Sequence, residues 1–425
     1  MKKNIFACIV LSIFFACNAS FAAQISWTEI SQLTLKTNPN IKIAENELKI
    51  AKANYLKSFS QFLPDISVTA AVGDSASGQG GNFTDTAEPN YSYGANASLS
   101  ILSLGQIKEN SARAALAQSA FDRTVSDTLY KVAQEYLNLV WGYERIELIS
   151  QIINKQTQNT DMVRLKYNVG GVDLGSLRRV EADLETSKFQ LRQAKRYLQT
   201  VWQALQANIG QSLDDEISKP VETLESLSKN IVIAPNPDFA ATIKTTPEFL
   251  QAQSNIDIAK AQKVSAWENF FMRLNLSASY NQNHGDKYFN SDYLNSWNAQ
   301  ISISYPLFSG GKDLIGLKNA GKIYQNAQYN FSITQSSLKA KAVAQYNSLL
   351  DAVENLSIRK IYLEALALQA EITQRKYING LSSYQDWYSI ENSYISAQSQ
   401  FLQEQLQAVL AQIEWLNFLG KQVSI

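Results

Sequence analysis

The sequence predicts a mainly α-helical chain that also carries membrane β-strands and is built twice from one structural repeat. Three observations carry this. First, residues 164–170 (RLKYNVG) return as 374–380 (QRKYING), and Asn38-Pro39 with Ala44, Ala51, Lys52 and Ala53 returns as Thr246-Pro247 with Ala252, Ala259, Lys260 and Ala261. Gly105 answers Gly311, Tyr136 answers Tyr346 and Gly210 answers Gly420. An offset that stays near about 210 residues along the whole chain is the mark of a tandem duplication. Second, two short runs in each half alternate apolar and polar residues, the period of a strand. Third, long stretches between them keep a helical period, and only 8 prolines interrupt 425 residues.

The first 22 residues read as a secretory signal. Lys2 and Lys3 give the charged end, residues 5–16 the apolar core, and Ser20-Phe21-Ala22 a small-x-small cleavage site. Both cysteines, Cys8 and Cys17, fall in this segment, so cleavage after Ala22 leaves neither disulfide nor thiolate metal site. A second reading takes Phe14-Phe15-Ala16-Cys17 as a lipoprotein box with Cys17 lipidated. No later apolar run is long enough for a transmembrane helix. A net charge of zero with no basic block argues against nucleic acid as a partner.

Along the first repeat, residues 27–36 form a short helix capped by Ser26 or Thr28. Asn38-Pro39 starts a second helix, to about 62, with proline in the first turn where its missing N–H costs nothing. The period then switches to two. Ile66, Val68, Ala70 and Val72 face one way and Ser67, Thr69 and Ala71 the other. A polar loop at 73–90 leads to a second alternating run at 91–101. The second repeat does the same at 274–280 and 297–305. Runs of about 9–11 residues suit tilted membrane strands, with the apolar face toward lipid and the polar face toward water. Tyr91, Tyr93, Tyr280, Trp297 and Tyr305 sit toward strand ends, where aromatic girdles form.

From Gly105 a helix runs unbroken to about Asn168, with Phe121, Val125, Leu129, Val132, Tyr136, Leu139, Tyr143 and Ile146 as a coiled-coil seam. At 1.5 Å per residue it is about 95 Å long. The turn at 168–173 ends it with glycine, and a return helix covers 174–209. The helix at 39–62 stacked on the return helix gives about 90 Å. Each repeat therefore predicts two struts of matching length, one continuous and one in two pieces. The divisions are 1–22 signal, 23–210 first repeat, 211–240 connecting segment and 241–425 second repeat.

Four strands per chain cannot close a membrane sheet, because an open edge leaves backbone groups unsatisfied in lipid. Two chains with about eight strands or three with about twelve would close it, and a hollow conduit favours the larger.

The layout resembles the TolC family of outer-membrane efflux and secretion channels over nearly the whole mature chain. The resemblance rests on Leu33 with Asn38-Pro39, on Pro64 before the first strand, and on residues 305–311 (YPLFSGG) after the fourth. The paired motifs Lys166-Tyr167-x-x-Gly170 and Lys376-Tyr377-x-x-Gly380 complete it. It implies a homotrimer with a 12-stranded β-barrel in the outer-membrane lipid of a Gram-negative cell. A 12-helix α-barrel would continue it into the periplasm, with an equatorial belt from the connecting segment. It also implies a periplasmic adaptor docking at the tip turns near Gly170, Gly171 and Gly380, and an inner-membrane pump of the RND, ABC or MFS type. No cofactor and no catalysis are implied.

At the tips the resemblance implies an aperture lined by acidic rings. Asp386 matches the principal ring acid, and three copies facing one axis would attract cations and raise one another's pKa. The second acid is Ser389 here. The tyrosine of the family's interlock is Tyr377, but the arginine position is Ser382 and the first-repeat acid is Ser176, so that lock cannot form as known. Arg178, Arg179 and Asp173 stand as substitutes or as ordinary surface charges. The single histidine, His284, falls in the loop between the third and fourth strands, and Gly78-Gln79-Gly80-Gly81 does not open a helix and is no nucleotide fingerprint. The competing reading is a periplasmic coiled-coil adaptor or scaffold, although the chain has two hairpins and no lipoyl-like halves.

Overall fold

The computed structural model describes residues 24–75, 78–79, 82–83, 88–101, 104–213, 217–233, 235, 237–285 and 294–421. The expected signal at 1–22, Cys17 within it, and Gly80 and Gly81 lie outside the described residues.

The first repeat opens with strand β1 (Gln24–Ile25) and helix α1 (Trp27–Thr37). Ser26 rather than Thr28 is the cap: its side chain accepts from the Glu29 amide and Glu29 reaches back, a full capping box. Helix α2 (Pro39–Lys57) follows, and the expected end at 62 is instead a 3-10 turn, Ser58–Phe62. Strand β2 (Asp65–Ser75), the short pair β3 (Gly78–Gln79) and β4 (Asn82–Phe83), and β5 (Glu88–Ile101) come next. The loop expected at 73–90 is therefore shorter, because strands extend into it from both sides. Helices α3 (Leu104–Asn168) and α4 (Leu174–Ile209) match the expected pair.

The connecting segment is not featureless. It holds β6 (Lys219–Pro220), parallel to β1, and α5 (Leu224–Lys229). Its order comes from side chains of α3 rather than from its own period. The Tyr136 hydroxyl donates to the Ile25 carbonyl at 3.1 Å and to Glu222. The Tyr143 hydroxyl donates to Ile217 O at 2.9 Å, and Glu144 accepts from the Leu224 amide at 2.7 Å. The second repeat runs α6 (Phe239–Thr242), α7 (Pro247–Glu268), β7 (Arg273–Gly285), β8 (Leu294–Ser304), α8 (Lys312–Ile378) and α9 (Tyr384–Phe418). His284 belongs to the backbone of β7, paired with Tyr91, and not to a loop.

The two-piece strut has a specific joint. Gly210 ends α4 at φ 82°, and a Cβ there would lie 2.6 Å from the Pro39 ring at the start of α2. The Asn38 side chain ties the ends together: its oxygen accepts from the Asn40 amide at 2.8 Å and its nitrogen donates to Asn208 O at 2.6 Å. Thr37 donates to Ile209 O at 3.0 Å. The second repeat builds the same joint, with Gly420 at φ 66° set so close to the Pro247 ring that a Cβ would collide with it. Proline, which needs no amide partner at a helix start, and glycine, which alone accepts this φ and approach, thus stack α2 on α4 and α7 on α9.

The sheet is antiparallel in the order β2-β5-β7-β8. Its registers line up apolar residues across all four strands: Ile66, Ala97, Ala278 and Ala299 in one row, Val68, Ala95, Tyr280 and Trp297 in the next. The alternate rows are polar, such as Ser67, Asn96, Ser279 and Asn298. The apolar face is open: Val68 is 81% exposed and Trp297 80%. Among the described residues no helix is long and apolar enough to cross a membrane.

The largest core lies midway down the helices. There Val132, Tyr136 and Leu139 of α3, Trp202 and Leu205 of α4, Ile30 of α1 and Ile413 of α9 are all buried. α3 packs on its own repeat through α4 and on the other repeat through α7 and α9.

Gly210→Ala or Gly420→Ala should each lower stability by about 2 kcal/mol or more, combining left-handed strain with overpacking against proline. Chemical denaturation reads this, and Gly316→Ala, in open space within α8, should instead raise the midpoint slightly.

Candidate gate at the helical tips

Both hairpins turn the same way. Gly170 at φ 74° and Gly380 at φ 78° reverse the chain. The Gly171 amide donates to Lys166 O at 2.7 Å and the Leu381 amide to Lys376 O at 2.8 Å, closing the last turns of α3 and α8. Leu165, Val169, Ile378 and Leu381 stand exposed around these turns.

The return helices begin with the same box carrying opposite residues. On α4, Asp173 is the N-cap: it accepts from the Ser176 amide at 2.9 Å and from the Ser176 hydroxyl at 2.8 Å. On α9, Ser383 is the N-cap: its hydroxyl accepts from the Asp386 amide at 3.1 Å and donates to the Asp386 carboxylate at 2.6 Å. The carboxylate sits at the cap in the first repeat and one turn inside in the second. Ser176 is thus the position-for-position counterpart of Asp386, but Asp173 supplies the charge. Hydrogen bonds from Ser176 hold the Asp173 carboxyl below the usual carboxylate range. Both acids lie at helix N-termini, where the helix dipole favours negative charge, and both are exposed.

Tyr377 is buried within the chain, at 3% exposure. Its ring stacks on Trp387 at 4.8 Å, with Lys166 Nζ 3.8 Å from the ring centre. The same ammonium donates to Tyr377 O at 2.7 Å. The Tyr384 hydroxyl donates to Ser176 O at 3.1 Å, and the Tyr388 hydroxyl to Asp183 at 2.6 Å. Arg179 lies 4.4 Å over the Tyr388 ring, whereas Arg178 pairs with Glu181 on its own helix at 2.9 Å. Further from the turns, Lys155 of α3 reaches the buried Glu391 of α9 at 2.9 Å, and Asn159 donates to it at 3.4 Å. These contacts clasp the two hairpins of one chain together. Ser382 sits half-buried just before the α9 cap, and Ser389 is exposed one turn beyond Asp386, on a cleft of about 590 Å³ shared with Arg179 and Arg359.

The clasp residues Lys166, Tyr384, Trp387 and Tyr388 escape the sequence reading, although aromatics at 384, 387 and 388 follow the spacing of one helix face. Their partners, Val163, Leu177 and Val180, come from the other hairpin. Burial pushes the Tyr384 hydroxyl up to about 12 and raises Tyr377 and Tyr388 as well. Among the described residues no cluster of three or more His, Cys, Asp and Glu could hold a metal.

The chain matches the family described as outer membrane efflux protein over residues 30–211 and 241–421. Among curated proteins it is similar to the solvent efflux pump outer membrane protein SrpC and to the toluene efflux pump outer membrane protein TtgI, both of Pseudomonas putida. Each is 26% identical over 191 residues, 41% of this chain and only 37% of the relative's own length. Among solved structures, CusC superposes at TM-score 0.80 with 18% identity, covering 93% of this chain and 92% of CusC. The outer membrane protein VceC of Vibrio cholerae gives TM-score 0.79 with 18% identity, covering 93% and 96%. At such identities these two show a shared fold.

Two measurements check the clasp. Lys166→Met should cost about 1 kcal/mol by removing a ring contact and a charged hydrogen bond, read as faster hydrogen exchange over residues 374–390. The pH response of Tyr384 has a fixed sign. Its folded pKa of about 12 lies above the ordinary value near 10, so its contribution is whole below pH 10 and lost as pH rises through 12. The difference between the tyrosinate absorbance titrations of wild type and Tyr384→Phe should have its midpoint near 12; a midpoint near 10 would mean an open tip.

Proposed function

The chain belongs to the outer membrane efflux protein family, and from that premise we propose that it is a passive export duct: a homotrimer whose strands form one barrel in the outer membrane and whose helices continue the channel through the periplasm. The observation that carries this is the sheet. Four strands have two free edges, an exposed apolar face and an opposite polar face. In hydrocarbon each unpaired backbone group costs several kcal/mol, so the edges must meet other copies. Three copies give about twelve strands, enough for a water-filled lumen where eight would fill with side chains.

The long helices fit the periplasmic part. They end in turns ringed by exposed apolar residues, a surface suited to the helical hairpin of a periplasmic adaptor. The adaptor would join the duct to an inner-membrane pump of the RND, ABC or MFS type, which supplies the energy. The alternative of a periplasmic adaptor is set aside, because the family match spans both repeats. The curated relatives are named for solvent and toluene efflux, which supports efflux rather than protein secretion as the working role.

At the closed tip, Asp386 from each copy lines the aperture and Asp173 sets a second ring close by. Rings of carboxylate draw cations in and hold anions back. Single-channel recording tests this. Asp386→Asn should reduce cation selectivity and block by divalent ions, Asp173→Asn should reduce them less, and the double variant most. Unchanged selectivity in all three would remove both residues from the aperture.

A further inference from the structure

The repeat exposes in one half what it buries in the other. Residues 50–53 and 258–261 share the sequence IAKA. Ile258 is 9% exposed and Ala261 3%, covered where α7 packs on α3. Ile50 is 60% exposed and Ala53 is also open. The other edge shows the converse. Ile152 on α3 is buried, while its counterpart on α8, Tyr362, is 60% exposed. One chain therefore has a covered seam, α3 against α7 and α9, and two matching open edges, α8 at one side and α2 with α4 at the other.

The covered seam is a template for the open one. In a ring of equivalent units, α8 meets α2 and α4 of the next copy as α3 meets α7 and α9 within the chain. The register of α3 on α9 is set by two contacts, Ser126 to Asn417 at 2.8 Å and Lys155 to Glu391 at 2.9 Å. Between them, Ile149 lies level with Ile395 and Trp141 level with Leu402, all four lining one cleft. Exchanging repeats turns the first pair into Arg359 and Glu185, and the second into Asp351 and Arg192. Two apolar pairings thus become two pairings of opposite charge.

The four charges are poorly matched inside the chain. Asp351, Arg192 and Arg359 make no salt bridge among the described residues, and Arg359 has a buried Nε without a partner, with only Gln400 accepting from its terminal nitrogen at 3.1 Å. Glu185 is bridged only to the solvent-exposed Lys188, on its own helix, among the described residues. We propose that neighbouring copies join through α8 on α4, with Arg359 facing Glu185 and Asp351 facing Arg192 of the next chain, and with α2 receiving the upper part of α8 over Ile50 and Ala53. Copies would then be held through charge pairs at the positions where the two repeats of each copy meet through Ile149, Ile395, Trp141 and Leu402. Charges so arranged fix partner and register, since a slipped or reversed pairing sets like charges together.

The inference rests on the reading of the protein as a ring of copies, and the test separates the two. Arg359→Glu and Glu185→Arg should each lower the temperature at which the oligomer dissociates in detergent, read by native mass spectrometry, and the double reversal should restore it. Asp351→Cys with Arg192→Cys should give oligomers linked by a short thiol crosslinker, and neither single variant should. A wild type that is only monomeric overturns both the ring and the seam. A stable oligomer indifferent to the reversals and uncrosslinked by the cysteine pair overturns the seam alone, as would crosslinking of that pair to a different protein in cells.

Discussion

The joint between proline and glycine governs the length of every wall in the molecule. A continuous helix such as α3 can be flanked evenly along its whole length only by a neighbour equally long. α4 is too short, so α2 must stand on it end to end. Such stacking ordinarily leaves the amides of one helix start and the carbonyls of the other helix end unpaired. Here Asn38 and Thr37 take up the Asn208 and Ile209 carbonyls, and Pro39 has no amide to satisfy. Gly210 lets the two ends approach closely enough to pack. The same solution at Pro247 and Gly420 lets α3 sit between two composite struts, with the main core just where the pieces meet.

From that joint the division of labour follows. Toward the strands, the packing is made by small residues such as Gly105, whose amide is held by Glu268 of α7 at 2.7 Å. Toward the turns, packing gives way to aromatic rings and charged hydrogen bonds. A cluster built on Tyr377, Trp387 and Lys166 holds two hairpins as one body while leaving the rims to the carboxylates. The reversed capping boxes fit this arrangement. Each return helix needs one acceptor for its first amides and carries one acid near its positive end, and aspartate can meet the second need from either place in the box. The two cap boxes are therefore alike in carrying one aspartate and different in where it stands.

Much of this is legible in the residues alone, for definable reasons. The long helices and strands announce themselves through periods sustained over many residues, and α3 and α4 lie where the pattern puts them. The joints are visible as repeated letters, Asn38-Pro39 with Gly210 and Thr246-Pro247 with Gly420, but not as contacts, because nothing local says that residues far apart in sequence touch. The short strand and helix of the connecting segment carry no period of their own, because they are ordered by Tyr136, Tyr143 and Glu144 of another element. Tyr377 reads as a residue of the aperture because it sits in a motif at the turn. Its burial depends on Trp387 and Lys166, and a position in sequence does not tell which side of a helix its neighbours will cover.

The repeats also show how identical letters can carry different duties. Ile50 and Ile258 are each followed by Ala-Lys-Ala and stand in the same kind of helix, yet only one is covered. The difference is not decided by the shared IAKA itself. It arises because α3 is present in the chain to cover the second repeat, while the first repeat has no chain-internal neighbour on that side. Duplication thus leaves one face covered within the chain and the equivalent face of the other repeat open. The seam inside the chain can keep apolar residues between its polar contacts from Ser126 to Asn417 and from Lys155 to Glu391, because its partner is always tethered nearby. In the proposed assembly the open face must also choose its partner from solution, and that demand falls on the positions where arginine, aspartate and glutamate stand in place of isoleucine, tryptophan and leucine.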